Sequence, residues 1–70
     1  MESYEINYYS ENVVRLFSET VRLEDSEAAL KAHIRSIVND RGIEDANRVS
    51  IIVAESKDTK YEWRIGEILP

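Results

Sequence analysis

His33 is the only histidine in this chain, and carboxylates are the only other side chains that could join it in metal or acid-base chemistry, because cysteine is absent. An imidazole beside a carboxylate can relay protons. His33 flanks an apolar helical stripe, where a single imidazole packs or meets solvent more often than it reacts. No second histidine stands at a ligand spacing such as His-Glu-x-x-His, so no metal is expected. Glu24 with Asp25, and Glu44 with Asp45, would serve acid-base work only if burial split their pKa values. Both pairs flank the helix, where capping and solubility account for them. The two glycines, Gly42 and Gly66, stand too far apart to cradle a phosphate. With no metal-ligand spacing and no phosphate loop, the chain is expected to be a non-enzymatic protein without a cofactor.

Aromatic side chains displayed on a sheet can stack on unpaired bases, and Tyr4, Tyr8, Tyr9, Tyr61 and Trp63 raise that prospect. Such binding needs a basic track for the phosphates, and this chain has the opposite over its first 29 residues. There, Glu2, Glu5, Glu11, Glu19, Glu24, Asp25 and Glu27 face only Arg15 and Arg22, so the segment holds the whole net charge of −5. Direct nucleic-acid binding is therefore not expected. Tyr4, Tyr8, Tyr61 and Trp63 share faces with Ile6 and Ile65 and read as core. Tyr9 is out of phase with them and is the candidate for an exposed contact. Carboxylates spread along strands and a helix start can imitate a run of phosphates and fill a basic cleft, although a modest net charge also serves solubility alone.

A chain of 70 residues makes one domain, spanning 1–70, and a domain of this size buries only about 60% of the surface its unfolded chain exposes. Its expected stability is on the order of 3 to 10 kcal/mol, with no disulfide to add to it. Self-association is one way to complete so small a core. An apolar share of 43% is too high for a disordered chain. The lack of cysteine fits a reducing cytoplasm, no apolar run approaches a membrane span, and Met1-Glu2-Ser3 lacks the basic start of a signal peptide.

The elements that must position these residues follow from periodicity. Leu30, Ile34, Ile37 and Val38 form one helical stripe, Asp25 or Ser26 can cap its start, and Gly42 suits the left-handed residue that closes it, with Ile43 folding back. A helix is predicted over 26–41. Its dipole favours Glu24, Asp25 and Glu27 at one end and Arg35 and Arg41 at the other. Val49, Ile51 and Val53 alternate with Ser50, Ile52 and Ala54, and Tyr61, Trp63 and Ile65 with Glu62, Arg64 and Gly66. Two strands joined through Lys57-Asp58-Thr59-Lys60 are predicted, the first of them central or covered on both faces because Ile52 and Ala54 make its second face apolar. A dimer formed around Ile52 would supply that cover. Tyr4, Ile6 and Tyr8 predict a first strand. Val13 to Leu23 fits helix or strand spacing; its β-branched content and the Ser10-Glu11-Asn12 turn favour a strand, with a bulge near Phe17-Ser18. The fold class expected is α+β: a single β-β-α-β-β domain, one helix packed on a four-stranded, mostly antiparallel sheet.

In size, acidity, lack of cysteine and this layout, with the acidic segment Phe17-Ser-Glu-Thr-Val-Arg-Leu-Glu-Asp-Ser-Glu-Ala-Ala-Leu30, the chain resembles the small phage-encoded anti-defence proteins, especially anti-CRISPR proteins. That family has no shared signature from which a functional residue could be transferred. The resemblance implies a non-enzymatic inhibitor in the bacterial host cytosol that docks on a basic protein, such as a CRISPR effector subunit, and blocks DNA access. On this reading Glu2, Glu5, Glu11, Glu19, Glu24, Asp25 and Glu27 make the partner-binding face, with Tyr9 as an anchor. The alternative is a small homodimeric structural or accessory module with no nucleic-acid-related role.

Overall fold

The computed structural model describes residues 1–69 and has the predicted β-β-α-β-β order. Strands β1 (Glu2–Tyr9), β2 (Arg15–Leu23), β3 (Arg48–Val53) and β4 (Thr59–Arg64) form one sheet in the order β2-β1-β3-β4, and every neighbouring pair is antiparallel. The helix α1 (Glu27–Arg41) packs on one face, and a single helical turn, α2 (Ile65–Ile68), follows β4. Of the two arrangements expected for β3, central or covered on both faces, the sheet order shows the first: β3 lies between β1 and β4.

Alternation decides which side chains meet the helix. The register stacks Tyr4 with Val21 and Val53, Ile6 with Glu19 and Ile51, and Tyr8 with Phe17 and Val49, while Trp63 continues the last row. Tyr4, Ile6, Tyr8, Val49, Ile51 and Trp63 are buried there against Leu30 and Ile34 of α1. Ile37 and Val38 are half-buried at the margin of the same core. Two ring contacts tighten it: Tyr61 stacks on Trp63 with centroids 4.6 Å apart, and Tyr8 meets Phe17 at 5.7 Å.

The helix ends behave as the sequence suggests. Ser26 rather than Asp25 is the cap, its hydroxyl accepting from the Ala29 N–H at 3.3 Å, which releases Asp25 for other contacts. Gly42 takes the left-handed conformation at φ 61°, and Val38 O accepts from both the Gly42 and Ile43 amides.

Four expectations need correction. Residues Ile65 and Gly66 leave the sheet: a continued strand would point Glu67 at the core and Ile68 away from it. A helical turn instead buries Ile65 and Ile68 together. The connection between β3 and β4 is Ala54 to Asp58, with the Lys57 N–H bonded to Val53 O, so Thr59 and Lys60 belong to β4. The irregularity in β2 falls one residue before the expected Phe17-Ser18: Tyr8 pairs with Phe17 and Tyr9 with Arg15, leaving Leu16 as the extra residue. Val13 and Val14 belong to the turn before β2 rather than to the strand.

That turn contains a backbone outlier. The Val13 N–H bonds to Ser10 O, the Ser10 N–H bonds to Val14 O, and Val13 sits at φ 61° with its side chain 67% exposed. A three-residue hairpin loop places its last residue in this left-handed region, where glycine is usual and a β-branched residue is strained. Val13→Gly is therefore expected to raise stability by about 1 kcal/mol, a gain urea denaturation would register.

Candidate functional site

The turn from β2 into α1 brings acidic side chains to one end of the sheet. Glu2 pairs in register with Leu23, which precedes Glu24, Asp25 and the first helical residue, Glu27. Asp25 is tied down: its Oδ1 accepts from the Tyr4 hydroxyl at 3.0 Å and from Lys60 Nζ at 2.6 Å. The Lys60 ammonium, and then the Tyr4 hydroxyl, hold the Asp25 carboxyl below its ordinary range. The same carboxylate holds Lys60 above its ordinary value. Glu27 pairs with Lys31 at 3.2 Å, one helical turn on. Glu2 and Glu24 have no ion-pair partner among the described residues.

The remaining acidic residues lie elsewhere, so the seven do not share one face. Glu5 projects from the side of the sheet opposite α1, with Lys57 at 3.9 Å. Glu11 lies in the turn at the far end from the helix start. Glu19 points inward, in phase with Phe17 and Val21, where its Oε2 accepts from the Tyr8 hydroxyl at 2.9 Å and lies 3.0 Å from His33 Nε2. Tyr9 is half-buried on the helix-free side, in register with Arg15 and Arg48. That side is polar around Ile52: Ser3, Glu5, Asn7, Ser50 and Glu62 surround it, rather than the apolar patch the sequence suggested. Asn7 is only 3% exposed there.

Sequence reading missed the Tyr8–Glu19–His33 cluster, which joins β1, β2 and α1. One signal was present: a carboxylate on the apolar row of a strand requires a buried donor. The cluster supplies two donors to one carboxylate oxygen, and the hydroxyl of fully buried Tyr8 is spent on that bond. The arrangement orients His33 and secures the helix to the sheet. A groove of about 600 Å³ lies apart from it, lined by Arg35, Val38, Ile43, Ala46, Ile65 and Leu69. Among the described residues, no group of three His, Cys, Asp or Glu side chains is placed to hold a metal ion, and no helix is long and apolar enough to cross a membrane.

Burial, followed by the bond to a carboxylate, raises both tyrosines, Tyr4 beside Asp25 and Tyr8 beside Glu19. A tyrosine or lysine raised on folding contributes stability that is complete below its unfolded pKa, about 10, and is lost as pH rises toward the folded value. Asp25, lowered on folding, contributes stability present above about pH 4 and lost as pH falls through its folded value. The urea midpoint is expected to fall above about pH 10, and less steeply in Tyr8→Phe. Equal alkaline slopes in the two proteins would show that Tyr8 is not a source of that loss.

Compared with protein-family models, curated proteins and solved structures, the chain finds no match in any of the three.

Proposed function

We propose that this chain is a non-enzymatic, protein-binding inhibitor of the anti-CRISPR type, which docks its acidic end on a basic nucleic-acid-binding surface of a host nuclease or surveillance complex. The supporting observation is the gathering of Glu2, Glu24, Asp25 and Glu27 where β2 enters α1, with Glu2 and Glu24 unpaired among the described residues. Carboxylates grouped in this way present a field that attracts a basic cleft and competes there with phosphates. The docking surface is narrower than the sequence suggested, because Glu19 is committed to the interior and Glu11 lies at the opposite end.

The test is capture by the tagged chain from bacterial lysate at low and moderate salt, with duplex DNA as competitor and Glu2→Lys/Glu24→Lys/Glu27→Lys as control. A nucleic-acid-binding protein that DNA and salt both displace, and that the triple variant fails to retain, is the expected result. Prey retained equally by the triple variant would reject the acidic end as the docking surface.

A further inference from the structure

The two edges of the sheet differ in how they are protected. β4 has six residues, places Lys60, Glu62 and Arg64 along its length, has a register shift opposite Ile51/Ile52, and ends in α2. Charges, short length and irregular pairing are the usual defences of an edge strand. β2 has nine residues; beyond the extra residue Leu16 it runs without irregularity from Phe17 to Leu23, contains no proline, glycine or lysine, and in that stretch carries one charge, Arg22, on its exposed row.

Its free backbone groups can be identified. Ser3 O accepts from the Ala54 N–H and Tyr9 O from the Asn47 N–H, so the odd-numbered residues of β1 bond toward β3. The even-numbered residues, Tyr4, Ile6 and Tyr8, therefore bond Val21, Glu19 and Phe17 of β2. The N–H and C=O groups of Ser18, Thr20 and Arg22 are left pointing away from the sheet, and all three side chains are exposed.

The helix covers the same strand unevenly. Asp25 reaches Lys60 on the β4 side, and Arg41 lies 4.6 Å over the Phe17 ring on the β2 side, so α1 crosses the sheet diagonally. Its C-terminal end covers the start of β2, while Val21 and Leu23 remain half-exposed.

We infer that β2 is a self-pairing edge, and that two copies of this chain join through antiparallel β2 strands into one eight-stranded sheet. A two-fold axis at Thr20 sets the register. Thr20 then faces Thr20 of the second copy, Ser18 faces Arg22, Glu19 faces Val21 and Phe17 faces Leu23, with about six new backbone hydrogen bonds. No like charges oppose one another in this register. An axis at Glu19 would instead place two carboxylates face to face. The symmetry also brings Phe17 of one β2, with the C-terminal half of its helix above it, beside the partly exposed Val21 and Leu23 of the other. Each copy thereby adds apolar cover to side chains that the other leaves partly exposed.

Sedimentation of the full chain over a concentration series tests this, with a species of twice the 8.1 kDa monomer mass expected. Thr20→Lys, at an exposed position, should leave the circular dichroism unchanged and weaken the dimer about fivefold or more. Thr20→Glu should do the same, and a mixture of the two variants should restore it. Thr20→Cys provides a positional readout. Directly paired residues in this register lie about 5.5 Å apart, within disulfide range, so mild oxidation should link two copies while Thr59→Cys should not. A wild-type chain that stays monomeric throughout would overturn the inference, as would a dimer that Thr20→Lys leaves unaffected and Thr20→Cys fails to crosslink.

Discussion

Replacing Ile6 with alanine is expected to remove about 2–5 kcal/mol, enough to leave a large share of the chain unfolded at room temperature. Ile6 is fully buried in the interior strand β1, between Glu19 of β2 and Ile51 of β3. Its methyl groups fill the layer between sheet and helix, and deleting them costs both transfer free energy and the cavity left behind. Against a total on the order of 3–10 kcal/mol for a chain of this length, that loss can be decisive. Ile6→Val removes one methylene and should cost only about 0.5–1.5 kcal/mol. Urea denaturation of the two variants separates these outcomes. If alanine lowered stability no more than valine does, β1 would not occupy the centre of the core.

Glu19→Ala is the second large effect, at about 2–3 kcal/mol. Glu19 Oε2 is the shared acceptor for Tyr8 and His33, and its removal leaves the hydroxyl of Tyr8, a side chain with no exposed surface, without its partner in a part-buried site. His33 retains some exposure and can hydrate, so most of the loss comes from Tyr8. A double-mutant cycle isolates the Tyr8–Glu19 interaction. In a Tyr8→Phe background the hydroxyl is already gone, and Glu19→Ala should cost about 1 kcal/mol less than it does in the parent. Strict additivity would mean that the two groups do not interact. Glu19→Gln keeps an acceptor oxygen and should cost less than alanine.

The sequence carried these features unevenly. The span of α1 was readable because three independent signals agreed: the Leu30–Ile34–Ile37 spacing, the Ser26 cap and the left-handed Gly42. The strands were readable from alternation, and the central place of β3 from the apolar residues on both of its faces. Local alternation failed at Ile65, because the same residues also satisfy the three-residue spacing of a helical turn, and burial of Ile68 decided between the two. The hairpin turn was misplaced because polarity marks a turn less sharply than backbone conformation does. Lys57, at φ 64°, adopts a left-handed geometry its residue type does not announce.

For the candidate site, charge could be counted along the chain but not placed in space. Strand phase puts Glu5 and Glu19 on opposite faces, and the hairpin sends Glu11 to the far end. The partners of Asp25 and Glu19 were hidden for a similar reason. Lys60 and His33 come to them through strand order and helix crossing, which are properties of the whole fold.

The pairing of β1 with β3 divides the molecule's construction into local and distant parts. Each outer pair, β1 with β2 and β3 with β4, closes through a short turn, whereas Tyr9 meets Arg48 only after the chain has closed a loop of about forty residues. That closure costs on the order of 3 kcal/mol in chain entropy, apart from a constant. Neither hairpin has a finished apolar face until the other arrives with α1 above the join. The seam between β1 and β3 thus makes folding all-or-none: two hairpins that would be marginal alone become one cooperative unit when their inner strands meet.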